Sequence, residues 1–190
     1  PRLCIDSLGI GRLTVLSEPT EDQVERPESI VLPDIRLPLG IQVDDLRIAE
    51  LWLDETGPLL TDLQMIAHAS GSQLLIHRFS GAGPGLDWLL DADLTMHANW
   101  PLRMNLSANL PEQQGQPWQA DIRAAGSLDQ LEVTAVSSGY LQGRLELEAS
   151  PLQASLPLSL NWRGDDFLAQ QSLPPTLTLM APELTLEGSL

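Results

Sequence analysis

Leu86-Asp87-Trp88-Leu89-Leu90-Asp91-Ala92-Asp93-Leu94-Thr95-Met96-His97-Ala98 is the stretch that decides the fold. Leu86, Trp88, Leu90, Ala92, Leu94, Met96 and Ala98 alternate with residues that are mostly polar, a period of two where a helix would need 3.6. Asn99-Trp100-Pro101 interrupts the run, and alternation resumes with Leu102, Met104, Leu106, Ala108 and Leu110 against Arg103, Asn105, Ser107 and Asn109. The pair reads as a long antiparallel hairpin with one apolar and one polar face.

The same pattern extends in both directions. Toward the N-terminus, Ile41 and Val43 lead into Leu46 and Ile48, with a slip of phase that a β-bulge would produce. Met65, Ala67 and Ala69 precede a Gly71-Ser72 turn, and Leu74 to Phe79 follows it. Toward the C-terminus come Trp118-Ala120-Ile122-Ala124, Leu131-Val133-Ala135, Leu145-Leu147-Ala149 and Leu156-Leu158-Leu160-Trp162. Leu177 with Leu179 and Leu184 with Leu186 close the series. Turns are expected at Gly9-Ile10-Gly11, Gly81 to Gly85, Gly126-Ser127, Ser138-Gly139 and Arg163 to Asp166. No stretch of comparable length carries a helical stripe.

Two places lack alternation. Residues 17–29 (SEPTEDQVERPES) are acidic and hold two prolines, as expected of a disordered loop. Phe167 to Pro175 reads as a loop or a short helix. The expectation is therefore an all-β chain, 1–190 forming one segment of a longer repeated β-groove. Its opening on Pro1-Arg2-Leu3, already mid-pattern, reads as an excised piece of a longer protein.

Composition narrows the function. Leu supplies about a fifth of the 190 positions, against 4% aromatics, so the apolar surface is soft and aliphatic. All ten basic residues are Arg, which removes P-loop and Schiff-base lysine chemistry. A net charge of −16 would repel nucleic-acid phosphates, so nucleic acid is excluded as a partner. Cys4 is the one cysteine and is expected to pack beside Leu3 and Ile5. His68, His77 and His97 fall on separate strands with no ligand spacing, and read as solvent-facing rather than metal-binding. The carboxylates Asp44-Asp45, Asp91 with Asp93, and Asp165-Asp166 read as solvated charge. Neither a catalytic centre nor a cofactor is expected. The five Trp residues are scattered along the chain, which argues against a carbohydrate-binding platform of clustered rings.

The apolar face remains. It could be the inner half of a closed sandwich or barrel. The long strands and aliphatic lining instead favour a long, mostly antiparallel curved sheet rolled into an open trough with an apolar interior. The expected lining is Trp88, Leu90, Leu94, Met96, Leu102, Met104, Leu106, Ile122, Val133, Leu145, Leu147, Leu156, Leu158, Leu160, Leu177, Leu179, Leu184 and Leu186.

Several short stretches carry a family likeness. Leu32 to Leu39 (LPDIRLPL) opens the run from Gln42 to Leu53; Ala98 to Leu102 (ANWPL), Ala125 to Leu128 (AGSL) and Leu156 to Leu158 (LPL) follow in order. Together they resemble the TamB family, the inner-membrane-anchored subunit of the translocation and assembly module, within the AsmA-like group of envelope-spanning proteins. The resemblance implies a β-sheet trough (the β-taco) in the periplasm of a diderm bacterium, with the parent protein anchored in the inner membrane. It implies phospholipid acyl chains as cargo in outer-membrane biogenesis. It also implies a role with the outer-membrane barrel TamA in inserting autotransporter-type proteins. The anchoring helix and the TamA-contacting region of that family match nothing in these residues.

Overall fold

Period-two alternation places every apolar side chain of a strand on one side, so neighbouring strands must keep register to keep that side continuous. The computed structural model shows that they do. It describes residues 1–15, 31–53, 57–113, 115–153, 156–164, 167–168, 178–179 and 183–188. Residues 17–29 and Asp165-Asp166 lie outside these, as does most of Phe167 to Pro175.

The described residues form β1 (Arg2–Ile5), β2 (Leu8–Val15), β3 (Leu37–Leu53), β4 (Pro58–Gly71), β5 (Gln73–Gly83), β6 (Leu86–Thr95) and β7 (Pro101–Gln113). They continue with β8 (Gln116–Ser127), β9 (Leu131–Gly139), β10 (Gly143–Ala149), β11 (Leu158–Gly164), β12 (Phe167–Leu168), β13 (Thr178–Leu179) and β14 (Glu183–Gly188). Twelve strands make one sheet in the order β1-β3-β4-β5-β6-β7-β8-β9-β10-β11-β14, with β2 also on the outer side of β3. β12 and β13 pair separately, so Phe167-Leu168 is extended rather than the start of a short helix. From β3 to β14 all pairings of the large sheet are antiparallel, and β1 and β2 join β3 in parallel. The two ends of the order do not meet, so the sheet is open. At about 4.8 Å between neighbours, its eleven-strand path extends roughly 48 Å across the strands.

The hairpin read first from the sequence is present, with Leu94 opposite Leu102 and Trp88 opposite Ala108. It is shorter than the alternation implies. β6 stops at Thr95, and Met96 turns away because its N–H donates to Ser72 O and its carbonyl accepts from Ile35 N. The phase slip near residue 44 is a register shift between Val43 and Leu46. It continues into neighbouring strands as shifts between Ile66 and Ala67 and between Ile76 and Phe79. β1 and β2 break at the same level, Ile5 lying opposite Val43 and Leu8 opposite Leu46. From β6 to β10 the facing strands show no such shift along their lengths, apart from one beside the β7–β8 turn.

Three readings are corrected. Gly9 and Gly11 lie within β2, and Gly81 to Gly83 within β5, leaving only Pro84-Gly85 as the turn. Alternation along a strand tolerates glycine, which a turn-based reading overcounts. Cys4 is exposed rather than packed, because alternation sends it to the side opposite Leu3 and Ile5 on an outer strand. His68 is half-buried with its Nε2 enclosed and unpaired, while His77 and His97 are exposed.

Candidate functional site

The registers combine into rows that cross the whole sheet. One row runs Leu8, Leu46, Met65, Phe79, Leu90, Leu106, Ile122, Ala135, Leu145, Trp162. A second runs Ile5, Val43, Ala67, Ile76, Ala92, Met104, Ala124, Val133, Leu147, Leu160. A third runs Leu3, Ile41, Ala69, Leu74, Leu94, Leu102, Gly126, Leu131, Ala149, Leu158. Directly opposed residues share a face, so the three rows are one continuous apolar surface. In the backbone ladder, Leu184 and Leu186 of β14 pair with Trp162 and Leu160.

Nothing among the described residues packs over this surface. Among the described residues only Leu63 (4% exposed), Ala67 (7%) and Ala124 (3%) are buried hydrophobics, and no large side chain is fully enclosed. A closed sandwich would seal such rows in its core, so that alternative is excluded here. The apolar positions of β6 to β10 are half-buried while most of the residues between them are exposed. With no second layer present, that asymmetry marks a sheet curled toward its apolar side, which crowds the side chains of the concave face.

The opposite face is polar and paired with itself. Asn105 donates to Asp91 at 2.8 Å, Ser107 to Asp121 at 2.6 Å, and Gln73 to Asp93 at 3.3 Å. Asp91 and Asp93 are thus on the outside, hydrogen-bonded and away from the apolar rows. Leu89 and Val136 are isolated exposures on that outer side (46% and 48%). Among the described residues no group of His, Cys, Asp and Glu is arranged to hold a metal ion.

The two ends of the strands differ. At the end carrying the turns after β4, β6, β8 and β10, the connecting segments are hydrogen-bonded sideways to one another. Met96 N donates to Ser72 O, Ile35 N to Met96 O, Leu128 N to Asn99 O, and Leu152 N to Leu128 O. Side chains reinforce this rim: Asn99 Nδ2 donates to Ser127 Oγ at 3.0 Å, and Trp100 Nε1 to Pro33 O at 3.1 Å. Asp34 Oδ1 accepts from Ala98 N at 3.0 Å and sits 2.8 Å from His97 Nδ1. The Ala98 amide first, then His97, hold the Asp34 carboxyl below its usual value. Gly126 adopts φ +120 here, where a Cβ would run into Gln130 O. The stretches 32–36, 98–102 and 125–128, separate in sequence, therefore meet along one rim.

The expected lining divides on the structure. Trp88, Leu90, Leu94, Leu102, Met104, Leu106, Ile122, Val133, Leu145, Leu147, Leu158 and Leu160 share the apolar face. Met96 lies in the β6–β7 turn and Leu156 in the loop before β11, with φ +40, so both belong to the rim rather than to a row. Leu179 is in the separate β12–β13 pair, and Leu177 lies outside the described residues. The expected lining omitted the β3–β5 residues Ile41, Val43, Met65, Leu74 and Phe79. Their alternation was legible, but bulges interrupt it, so their membership in the rows needs the register.

The other rim, with the turns after β3, β5, β7 and β9, gathers aromatic rings. Phe79 and Trp88 meet edge to face at 4.7 Å, and Trp118 and Tyr140 at 6.1 Å. Trp118 Nε1 donates to Ser137 Oγ at 2.7 Å, Trp52 Nε1 to Glu50 Oε2 at 2.8 Å, and the Arg12 guanidinium lies 4.3 Å from the Trp52 ring centroid. Four of the five Trp residues thus lie toward one end of the strands rather than scattered, with Trp100 alone at the other rim. They remain no sugar platform, since Asp87, Asp91, Asp93 and Asp121 occupy the reverse side.

An open, uncovered β-sheet with one continuous aliphatic face and a solvated reverse defines a class, that of open β-groove proteins without an enclosed core. The description "TamB, N-terminal domain" matches residues 12–190, and the chain belongs to the TamB family, a transport and assembly family of the cell envelope. No curated protein and no solved structure matches the chain. No helix among the described residues is long and apolar enough to cross a membrane.

Proposed function

We propose that this chain is a stretch of a non-enzymatic conduit carrying phospholipid across the periplasm between the inner and outer membranes. The parent protein would be anchored in the inner membrane and work with TamA at the outer one. One observation carries the reading: three apolar rows hold level across ten successive strand positions with nothing among the described residues packed upon them. An acyl chain of about 15 Å, half the hydrocarbon thickness of a bilayer, fits lengthwise along the strands across the three rows, which span about 13 Å from first to third. Each CH₂ removed from water contributes about 0.8 kcal/mol, so retention needs no fixed polar contact. Because Leu, Ile, Val, Met and Ala repeat from strand to strand, neighbouring positions are close in energy, and a chain can slide between them.

Native mass spectrometry of the purified chain tests this. It should show co-purifying phospholipid that is lost in Leu106→Arg, which places a charge in the middle row. Lipid-free protein, or undiminished lipid in Leu106→Arg, contradicts the conduit.

A second reading has its own support. β14 and the outer sides of β1 and β2 end the sheet order, and such edges can pair with an extended polypeptide. A scaffold for autotransporter-type outer-membrane proteins would use them. Photocrosslinkers along β2 would then capture nascent barrel protein instead of lipid.

A further inference from the structure

Register gives each residue a height along the strands as well as a face, and the aromatic residues on the apolar face occupy only part of that height. Phe79 and Trp162 lie on the Leu90–Leu106–Ile122 row, Trp88 one step above it, and Trp118 two steps above. Tyr140 lies in the turn beside Trp118, its N–H donating to Pro117 O. Below that row the described face is wholly aliphatic, apart from the strand-end glycine Gly126.

Two of the rings lie against glycine sites, and the third stands on a strand whose partner residue is also glycine. Trp88 is opposite Gly81, where a Cβ would stand 3.1 Å from Trp88 Cζ2. Trp118 is opposite Gly139, and Trp162 Nε1 lies 3.0 Å from where Gly143 would carry a Cβ. Trp88, Trp118 and Trp162 are each half-buried. The indole N–H of Trp118 is oriented toward the polar Ser137, whose hydroxyl in turn donates to Leu141 O. Rings with an apolar body and a polar edge settle where hydrocarbon meets wet headgroups, as in the aromatic belts of membrane proteins. At the opposite rim the amides of Ile35, Met96, Leu128 and Leu152 are already bonded sideways to neighbouring turns, and no aromatic ring of the apolar face lies there among the described residues.

We propose that the groove is polarised: lipid lies with its glycerol-ester region along the aromatic rim and its acyl chains on the aliphatic rows toward the sideways-bonded rim. This rests on the phospholipid reading above and adds the orientation of the cargo. The rim, not a pocket, would select for amphiphiles whose polar end sits beside indole rings.

Tryptophan quenching tests it. The chain is loaded with phosphatidylethanolamine brominated either near the carboxyl end or near the methyl end of an acyl chain. A variant keeping Trp118 alone, the other four replaced by Phe, should lose more emission with bromine near the carboxyl end. A variant whose one indole comes from Leu158→Trp, on the lowest row, should show the reverse order. Equal or inverted losses in both variants overturn the orientation while leaving the lipid reading in place. No loss with either lipid, in protein that carries none by mass spectrometry, overturns the lipid reading itself. Should the multiply substituted variants fail to fold by circular dichroism, the unmodified protein serves, since four of its five Trp residues lie on the aromatic side. It should be quenched more by bromine near the carboxyl end, and the opposite order refutes the proposal.

Discussion

The two rims of this sheet are made of different materials. One is a chain of loops hydrogen-bonded to each other, built from the stretches 32–36, 98–102, 125–128, 150–153 and 156–157. The other is a set of turns bordered by rings, Trp88 over Gly81 and Trp118 beside Gly139 and Tyr140. The first fixes spacing through the backbone and tolerates little change. The second fixes a surface through side chains, with a tight backbone at Gly139 and an open one at Gly115. An open sheet lacks a core to hold its curvature, and here the sideways-bonded rim supplies part of that restraint. The lesson is that a groove can be stabilised at one wall and exposed for use at the other.

The comparison can be broken most directly at glycines. Gly126→Val on the bonded rim forces a β-branched residue to φ +120 and drives its Cβ into Gln130 O. It should cost about 3 kcal/mol or more, read as a lowered urea midpoint. Gly115→Asn on the turn rim, at φ +75 with nothing within 4 Å, should cost well under about 1 kcal/mol, since Asn tolerates that region. Equal losses would erase the distinction between the rims.

A ring deletion comes next. Trp88→Ala uncovers Gly81 and Leu63 and removes the edge-to-face contact with Phe79. It should destabilise by about 2 kcal/mol, below the range for a fully buried Trp because the ring is half-exposed. Asn99→Ala removes the bond to the buried Ser127 hydroxyl and should cost about 1 kcal/mol. Both are checked by equilibrium unfolding.

The smallest effect is a pH dependence of the strap at Asp34. Its folded pKa is depressed, so the stabilisation is present above the usual value of 3.8 and is lost as pH falls through the lower folded value. The protection of the Ala98 amide, its hydrogen-exchange rate relative to an unstructured amide at the same pH, should fall over that acid window, and Asp34→Asn should remove the dependence.

Much of this was legible in the sequence. The β6–β7 hairpin, the bulge at Val43–Leu46 and the Gly71-Ser72 turn followed from period and phase, because alternation reports which face a residue takes. Height along the strand was not legible. It depends on register, which turn geometry and bulges set jointly, so Trp52, Trp88, Trp118 and Trp162 looked scattered while lying near one rim. The same limit put Met96 and Leu156 among the rows, though sideways bonds at Met96 and a left-handed backbone at Leu156 take them into the rim. Gly9, Gly11 and Gly81 read as turns because glycine signals backbone freedom, whereas Gly81 serves here to make room for a ring.

The central claim is that the apolar face is a working surface for lipid and the reverse face is not. Leu106 and Ser107 are neighbours pointing to opposite sides, so a photocrosslinking residue at each position of the full-length protein compares the faces directly. The account predicts phospholipid adducts at Leu106 and few or none at Ser107. Equal labelling at both, or capture of polypeptide alone at Leu106, would contradict it.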